Sequence, residues 1–280
     1  MIVDCHTHLW KAGHWGEEIT REANLARGKP APVDVDEHDH WQAMTPVDKA
    51  IVFGLRAVHV GLVVPNDLVA RYVAQHPEKL IGFASIDPHE PDYLDEMRRC
   101  FETMCFRGLK LGPTYQNYHP MDERMQPVYA YCEARGIPVL FHQGTTFPRH
   151  APLKYAHPVL LEDVAIRYPE LRMVIAHMGH PWMEDTIVLI RKQPHVYADV
   201  SALYYRPWQF YNALVAAVEY GATHKLLFGT DYPFTTPADS IAALRNVNHV
   251  AGAHMPRIGE DVIEGIIHRD TLALLGLAII

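Results

Sequence analysis

The sequence predicts one (β/α)8 TIM barrel over residues 1–280, an α/β fold with an elaborated first loop and an extra C-terminal helix. Two observations carry that expectation. Eight short runs of apolar and β-branched residues recur at intervals that suit strand–helix units, and helical patterns fill the spaces between them. Near-continuous apolar strands alternating with helices imply a parallel sheet covered by helices, and eight such units imply closure into a barrel rather than an open sheet. A single domain is consistent with the length, because barrels of this kind commonly run to about 250 residues.

In chain order the strand runs are 2–6, 49–55, 80–85, 106–111, 137–142, 172–177, 196–200 and 225–229. The helical stretches between them cover 66–75, 93–104, 122–135, 158–168, 182–192, 208–220 and 239–250. Gly136 follows one helix as a C-terminal cap would, and Pro77, Pro169 and Pro194 come just after three others. Residues 10–42 break the rhythm, because Gly13, Gly16, Gly28, Pro30 and Pro32 stand there among many charges, so this segment reads as an enlarged loop after the first strand. Residues 261–275 carry one more helical pattern, expected on the outside or bottom of the barrel.

Hydrophobic residues make up 49% of the chain and charged residues 21%, which supports a sizeable core and argues against disorder. A net charge of −8 argues against a nucleic-acid surface or an anionic-membrane binder and points to a small-molecule partner, with a homo-oligomer open. No apolar run approaches the roughly 20 residues of a spanning helix, and strand character begins at Ile2 with no leader before it, so a soluble cytoplasmic protein is expected. Cys5, Cys100, Cys105 and Cys132 form no C-x-x-C pair and no disulfide framework, and are expected to be buried thiols.

In a parallel barrel all C-terminal strand ends open onto one mouth, where active sites sit. His6 and His8 end the first run, His142 the fifth and His177 the sixth, while Asp231 falls just past the eighth. Side chains alternate along a strand, so His6 and His8 point the same way, with Asp4 on their face and Cys5 and Thr7 on the other. Two such imidazoles chelate one ion, and His142 with a carboxylate completes a site that keeps an open position. Zinc is favoured for an imidazole-rich set, with Mn, Fe, Ni or Co as alternatives. Each histidine alone is as readily a packed or surface residue; the coincidence at strand ends is what singles these out. His180, one turn past His177, is a weaker rim candidate, and His195 and His224 precede strands and belong to the bottom face.

The stretches DCHTH, FRGLKLGP, VLFHQG, MVIAHMG and LLFGTDYPF closely resemble the amidohydrolase superfamily (amidohydrolase 2 type), in particular the branch of aminocarboxymuconate-semialdehyde and resorcylate-type decarboxylases and related metal-dependent hydrolases. The resemblance runs from Ile2 to Leu277. It implies His6, His8, His142 and Asp231 as ligands of one ion, with His177 as an acid/base group beside it. The family's terminal helix commonly has an Asn where this chain has Asp270, which puts that helix cap in question. Two-metal members of the superfamily place a modified bridging Lys near the position of Lys110, whereas the single-metal branch leaves Lys110 to contact substrate or a ligand.

Trp10, Tyr115, Gln116, Phe147, Arg149, Ser201, Tyr204, Arg206 and Trp208 lie in or next to the loops after the strands and are substrate-contact candidates; singly, each is as easily a residue that covers the barrel. Aromatic rings and an Arg fork suit a planar carboxylate. The first expectation for the reaction is hydrolysis of a small carboxylated or aromatic substrate by an ion-activated water, with Asp231 or His177 moving the proton. Decarboxylation of a small aromatic or unsaturated acid uses the same constellation and is the alternative. A barrel that binds metal or a partner without catalysis is the third reading.

Overall fold

The computed structural model describes residues 1–278. Its eight parallel strands are β1 (Val3–His8), β2 (Lys49–Phe53), β3 (Leu80–Ser85), β4 (Gly108–Leu111), β5 (Val139–Phe141), β6 (Met173–Ile175), β7 (Val196–Asp199) and β8 (Leu226–Leu227). They pair in sequence order. β1 and β8 then close the ring, because Cys5 N donates to Phe228 O, Asp231 N to His6 O and His8 N to Tyr232 O at 2.8–3.0 Å. The TIM barrel read from the sequence is the fold.

Most strands are shorter than their apolar runs, while β1 extends past its run to His8 and β3 matches its run of 80–85. Lumen-facing positions alternate along the strands: Val3, Ile51 and Phe53, Ile81 and Phe83, Leu140, Val174, Tyr197 and Leu227 form one buried cluster inside the barrel. Gly108 also faces inward because a Cβ there would lie 2.3 Å from the Phe83 ring, so the layer has room for one large side chain at that level. Residues of the other parity, such as Ala50, Val52, Leu109 and Phe141, join the helices in the outer core.

The helices are α1 (Glu17–Arg27), α2 (Glu37–Ala43), α3 (Asn66–Gln75), α4 (Tyr93–Glu102), α5 (Gln126–Arg135), α6 (Glu162–Arg167), α7 (Met183–Lys192), α8 (Pro207–Glu219), α9 (Pro237–Arg245), α10 (Glu260–Ile267) and α11 (Thr271–Leu274). Gly136 ends α5 in the left-handed region at φ 63°, as its position foretold. The enlarged first loop is present and holds α1, bounded by Gly16 and left-handed Gly28 and buried through Ile19 and Ala23, and α2, capped by Asp36. Gly16 and Gly28, two of the glycines that read as loop, are the end caps of α1.

The single C-terminal helix is corrected, to α10 and α11 with a break at 268–270. Asp270 supplies the cap that the departure from the family pattern had put in question, its carboxylate accepting from Ala273 N at 3.2 Å. Leu272, Leu275 and Leu277 beyond it join the lumen cluster. All four cysteines are free thiols, and Cys105 is exposed rather than buried.

The faces assigned to β1 need a further correction. From Asp4 to Thr7 β1 advances three residues while β2 advances two, from Ala50 to Val52, which is a β-bulge. The extra residue resets the alternation. Cys5 therefore packs in the lumen with Val3, while His6 and His8 still share the mouth. Asp4 turns instead to β8, where it accepts from Thr230 N at 3.0 Å and Thr230 Oγ1 at 2.7 Å.

Candidate active site

The mouth gathers its polar groups by continuing the lumen parity past the last apolar layer. Lys110 on β4, His142 after β5, Asp199 and Ser201 at the end of β7 and Asp231 after β8 each lie an even number of residues beyond a lumen-facing position. His177 breaks that parity and reaches the mouth through a left-handed turn, with φ 56° at His177 and 49° at Met178. Asp231 (φ 63°) and Ala202 (φ 55°) adopt the same sparsely populated region. Non-glycine residues held this way cost of order 1 kcal/mol each, and here they cluster where function is concentrated.

Three electron-pair donors converge at the centre. His6 Nε2 and His8 Nε2 lie 3.3 Å and 3.2 Å from Asp231 Oδ1. Asp199 Oδ2 accepts from His6 Nδ1 at 2.9 Å, which puts the imidazole proton on Nδ1 and turns the Nε2 lone pair toward Asp231. Two acceptors cannot face each other at that distance without a proton or a cation between them. Metal–ligand bonds of about 2.0–2.2 Å at tetrahedral or octahedral angles place donors about 3 Å apart, so the spacing fits a divalent ion. The buried His8 Nδ1 has no hydrogen-bond partner among the described residues.

Burial sets the charge states. Desolvation pushes His6, His8 and His177 well below the ordinary imidazole range and His142 down to about 3, so all four are neutral and able to ligate near pH 7. The same burial raises Asp231 well above the usual carboxylate range. Lys110, fully buried, is lowered to about 8 by desolvation, against the pull of Asp199 and Asp231. Its Nζ stands 3.4 Å from His6 Nε2 and 4.6 Å from the Phe53 ring centroid.

His142 stands beside this cluster rather than within it. Its ring centroid is 5.2 Å from that of His177, but its Nε2–H donates to the Thr145 carbonyl at 3.1 Å, so ligation there requires that bond to be released. His177 pairs through Nδ1 with Ser201 Oγ at 2.7 Å. The Ser201 hydroxyl is itself drawn to Asp199 Oδ1, so it accepts from His177 Nδ1–H and leaves the His177 Nε2 lone pair to the cavity. Asp199 is the functional residue that the sequence reading missed. Its signal lies in its position, two residues beyond lumen-facing Tyr197 at a strand end.

A cavity of about 350 Å³ opens above the cluster, reached from α1 through Arg27, from the loop after β4 through Tyr115, and from the loops after β5, β7 and β8 through Phe147, Tyr205, Arg206 and Phe234. Trp10 and Lys110 line its inner extension. Of the substrate-contact candidates, Trp10, Lys110, Tyr115, Phe147 and Arg206 thus face it, as does His180. Tyr204 does not, because its hydroxyl is tied to the Gly229 carbonyl at 2.8 Å and its neighbour Tyr205 takes the cavity position. Arg149 is exposed outside the cavity, its backbone N–H bound to Glu22 of α1. Gln116 braces the loops, donating to the Arg56 and Ile86 carbonyls, and Trp208 lies on the outer surface.

A barrel with neutral imidazoles and a buried carboxylate at its C-terminal mouth defines an enzyme of the metal-dependent hydrolase and lyase type. The chain belongs to the Amidohydrolase family, whose sequence profile matches residues 3–277. It is similar to a gamma-resorcylate decarboxylase of Rhizobium sp. (strain MTP-10005), 23% identical over 261 residues that cover 78% of this chain and 76% of that one. An uncharacterised TIM-barrel protein from Bordetella bronchiseptica has the same fold, with a TM-score of 0.75, 22% identity and 99% of each chain covered. So does a dihydroxybenzoic acid decarboxylase from Polaromonas sp. JS666 with bound manganese and the inhibitor 2-nitroresorcinol, with a TM-score of 0.67, 16% identity, and 100% of this chain and 98% of that one covered. No helix among the described residues is long and apolar enough to cross a membrane.

Proposed function

We propose that this protein is a metal-dependent decarboxylase of a small aromatic acid. The observation that carries the reading is the cavity itself: aromatic walls from Tyr115, Phe147 and Phe234 enclose a space that His8, His177 and Asp231 also line. Planar rings stack on such walls. The decarboxylases among its relatives support the same choice over hydrolysis, which the sequence alone had placed first.

His6, His8 and Asp231 would hold one divalent ion per chain, with His142 joining once freed from Thr145. A bound ion supplies a Lewis acid that draws charge from a carboxylate or neighbouring hydroxyl. Imidazole and carboxylate donors accept zinc or manganese, and a relative's bound manganese sets that metal beside zinc. Lys110 contributes positive charge next to His6 and bridges nothing in this scheme.

His177 does the proton work. Its Nε2 lone pair takes a proton from the substrate, with the imidazolium steadied through Ser201 by Asp199. The bond from ring carbon to carboxyl carbon breaks, CO2 leaves, and the electron pair left on the ring carbon takes the proton back from Nε2. Burial makes that imidazolium a ready donor.

The products test the reading. With a panel of hydroxylated benzoic acids in heavy water, stoichiometric CO2 with deuterium at the vacated carbon is the expected result. Solvent heavy oxygen in the organic product, without CO2, would instead establish hydrolysis at the same site.

A further inference from the structure

Two arginines line the cavity, and neither forms an ion pair with a carboxylate among the described residues. Arg27, the last residue of α1, and Arg206, just before α8, both line it and both are partly buried, yet neither makes a salt bridge among the described residues. Arginines that do find carboxylates in this chain lie away from the cavity: Arg56 with Glu90, Arg99 with Asp67 and Glu96, and Arg245 with Glu264. With a net charge of −8, counter-ions are not scarce. Two guanidinium groups without a carboxylate in one cavity leave fork-shaped donors free for an anionic ligand.

The geometry fixes where that anion sits. The Arg27 guanidinium carbon lies 4.5 Å from the Phe234 ring centroid and 6.0 Å from that of Tyr205. The Arg206 guanidinium carbon lies 4.5 Å from the same Tyr205 ring. Stacking on rings restrains both forks while leaving their N–H edges free, and Arg27 Nε is buried with no hydrogen-bond partner in the structure. Arg206 spends one N–H on the Ala202 carbonyl, which holds its head in place. Both line the main cavity but not its inner extension, which His177 and Asp231 also line.

We infer that the substrate carries a second anionic group, away from the carboxylate at the metal donors, and that Arg27 and Arg206, both held near the Tyr205 ring, read it. The inference rests on the decarboxylase reading for the inner carboxylate. It narrows the substrate class to small aromatic acids with two separated anionic groups, such as dicarboxylates. It also gives α1 a function, since this helix of the enlarged first loop brings a specificity-determining cation to the cavity.

Direct binding separates the two claims. Benzoate and isophthalate are titrated calorimetrically into manganese-loaded protein, as wild type, Arg27→Gln, Arg27→Lys and Arg206→Gln, with each variant's melting temperature as a check on folding. Wild type is expected to prefer isophthalate by about 10-fold or more, as one charge-assisted contact supplies. Arg27→Gln and Arg206→Gln should each remove most of that ratio, and Arg27→Lys should restore part of it. Equal affinity for the two acids in wild type, or a ratio that survives in both Gln variants, overturns the inference. A dianion preference without CO2 release from any aromatic diacid leaves this subsite standing and sinks the decarboxylase reading alone.

Discussion

Asp199→Asn keeps the size of the side chain but breaks its division of labour. Oδ1 accepts from His177 N and Ser201 N at 3.0 Å each and from the Ser201 hydroxyl, while Oδ2 accepts from His6 Nδ1 at 2.9 Å. An amide has one oxygen. If it stays with the two backbone N–H groups, the new NH2 meets His6 Nδ1–H donor to donor. His6 relieves that clash by moving its proton to Nε2, the atom that faces Asp231. The lone pair needed for ligation is then lost in the dominant tautomer. Removing a partner that orients a ligating histidine weakens metal affinity by about 10- to 100-fold, or roughly 1.4–2.8 kcal/mol. Competition of wild type and variant against a chromogenic zinc or manganese chelator reads that shift directly. An unchanged affinity would refute the tautomer argument, and a loss beyond about 10,000-fold would make Asp199 a ligand in its own right.

His177→Ala should cut turnover by at least about 100-fold while metal content, measured by elemental analysis, stays close to wild type, because the proton carrier is removed and the three central donors are not. Loss of metal in proportion to rate would mark His177 as a ligand. His40, buried on α2, receives the Tyr72 hydroxyl at 2.9 Å and donates through Nε2 to Thr7 Oγ1 at 2.9 Å, the Thr7 hydroxyl in turn donating to the Ile51 carbonyl. Burial lowers its pKa from 6.5 to about 3. Its unfolded form therefore binds a proton that its folded form refuses, so its contribution is complete above pH 6.5 and fades as pH falls toward about 3, with a slope of about 1.4 kcal/mol per pH unit. His40→Gln should be less stable than wild type at neutral pH and show a shallower acid limb in urea denaturation; parallel limbs would disprove the assignment.

The barrel was legible because period-two burial and helix punctuation are local signals, and the donors were legible because strand ends map to one rim. What escaped the sequence depends on contacts between distant segments. The bulge that turns Asp4 away from the mouth exists because β1 must pair with β2 on one side and β8 on the other. Tyr204 and Tyr205 exchanged roles because a loop turn, with Ala202 in the left-handed region, sets which of two adjacent rings faces inward. Arg27 was invisible in a segment whose glycines read as loop, and only the fold of α1 over the mouth gives it a role.

The donors straddle the seam where the barrel closes. His6 and His8 lie on β1, and Asp231 follows 223 positions after His8. Asp4 and Thr230, just beneath them, latch the same seam across 226 positions. The loop-closure entropy of joining such distant segments is met only once the intervening strands have paired in turn. The chemistry is consequently switched on by completion: a chain released before β8, or one whose seam has opened, keeps its histidines but has no site, and is chemically silent.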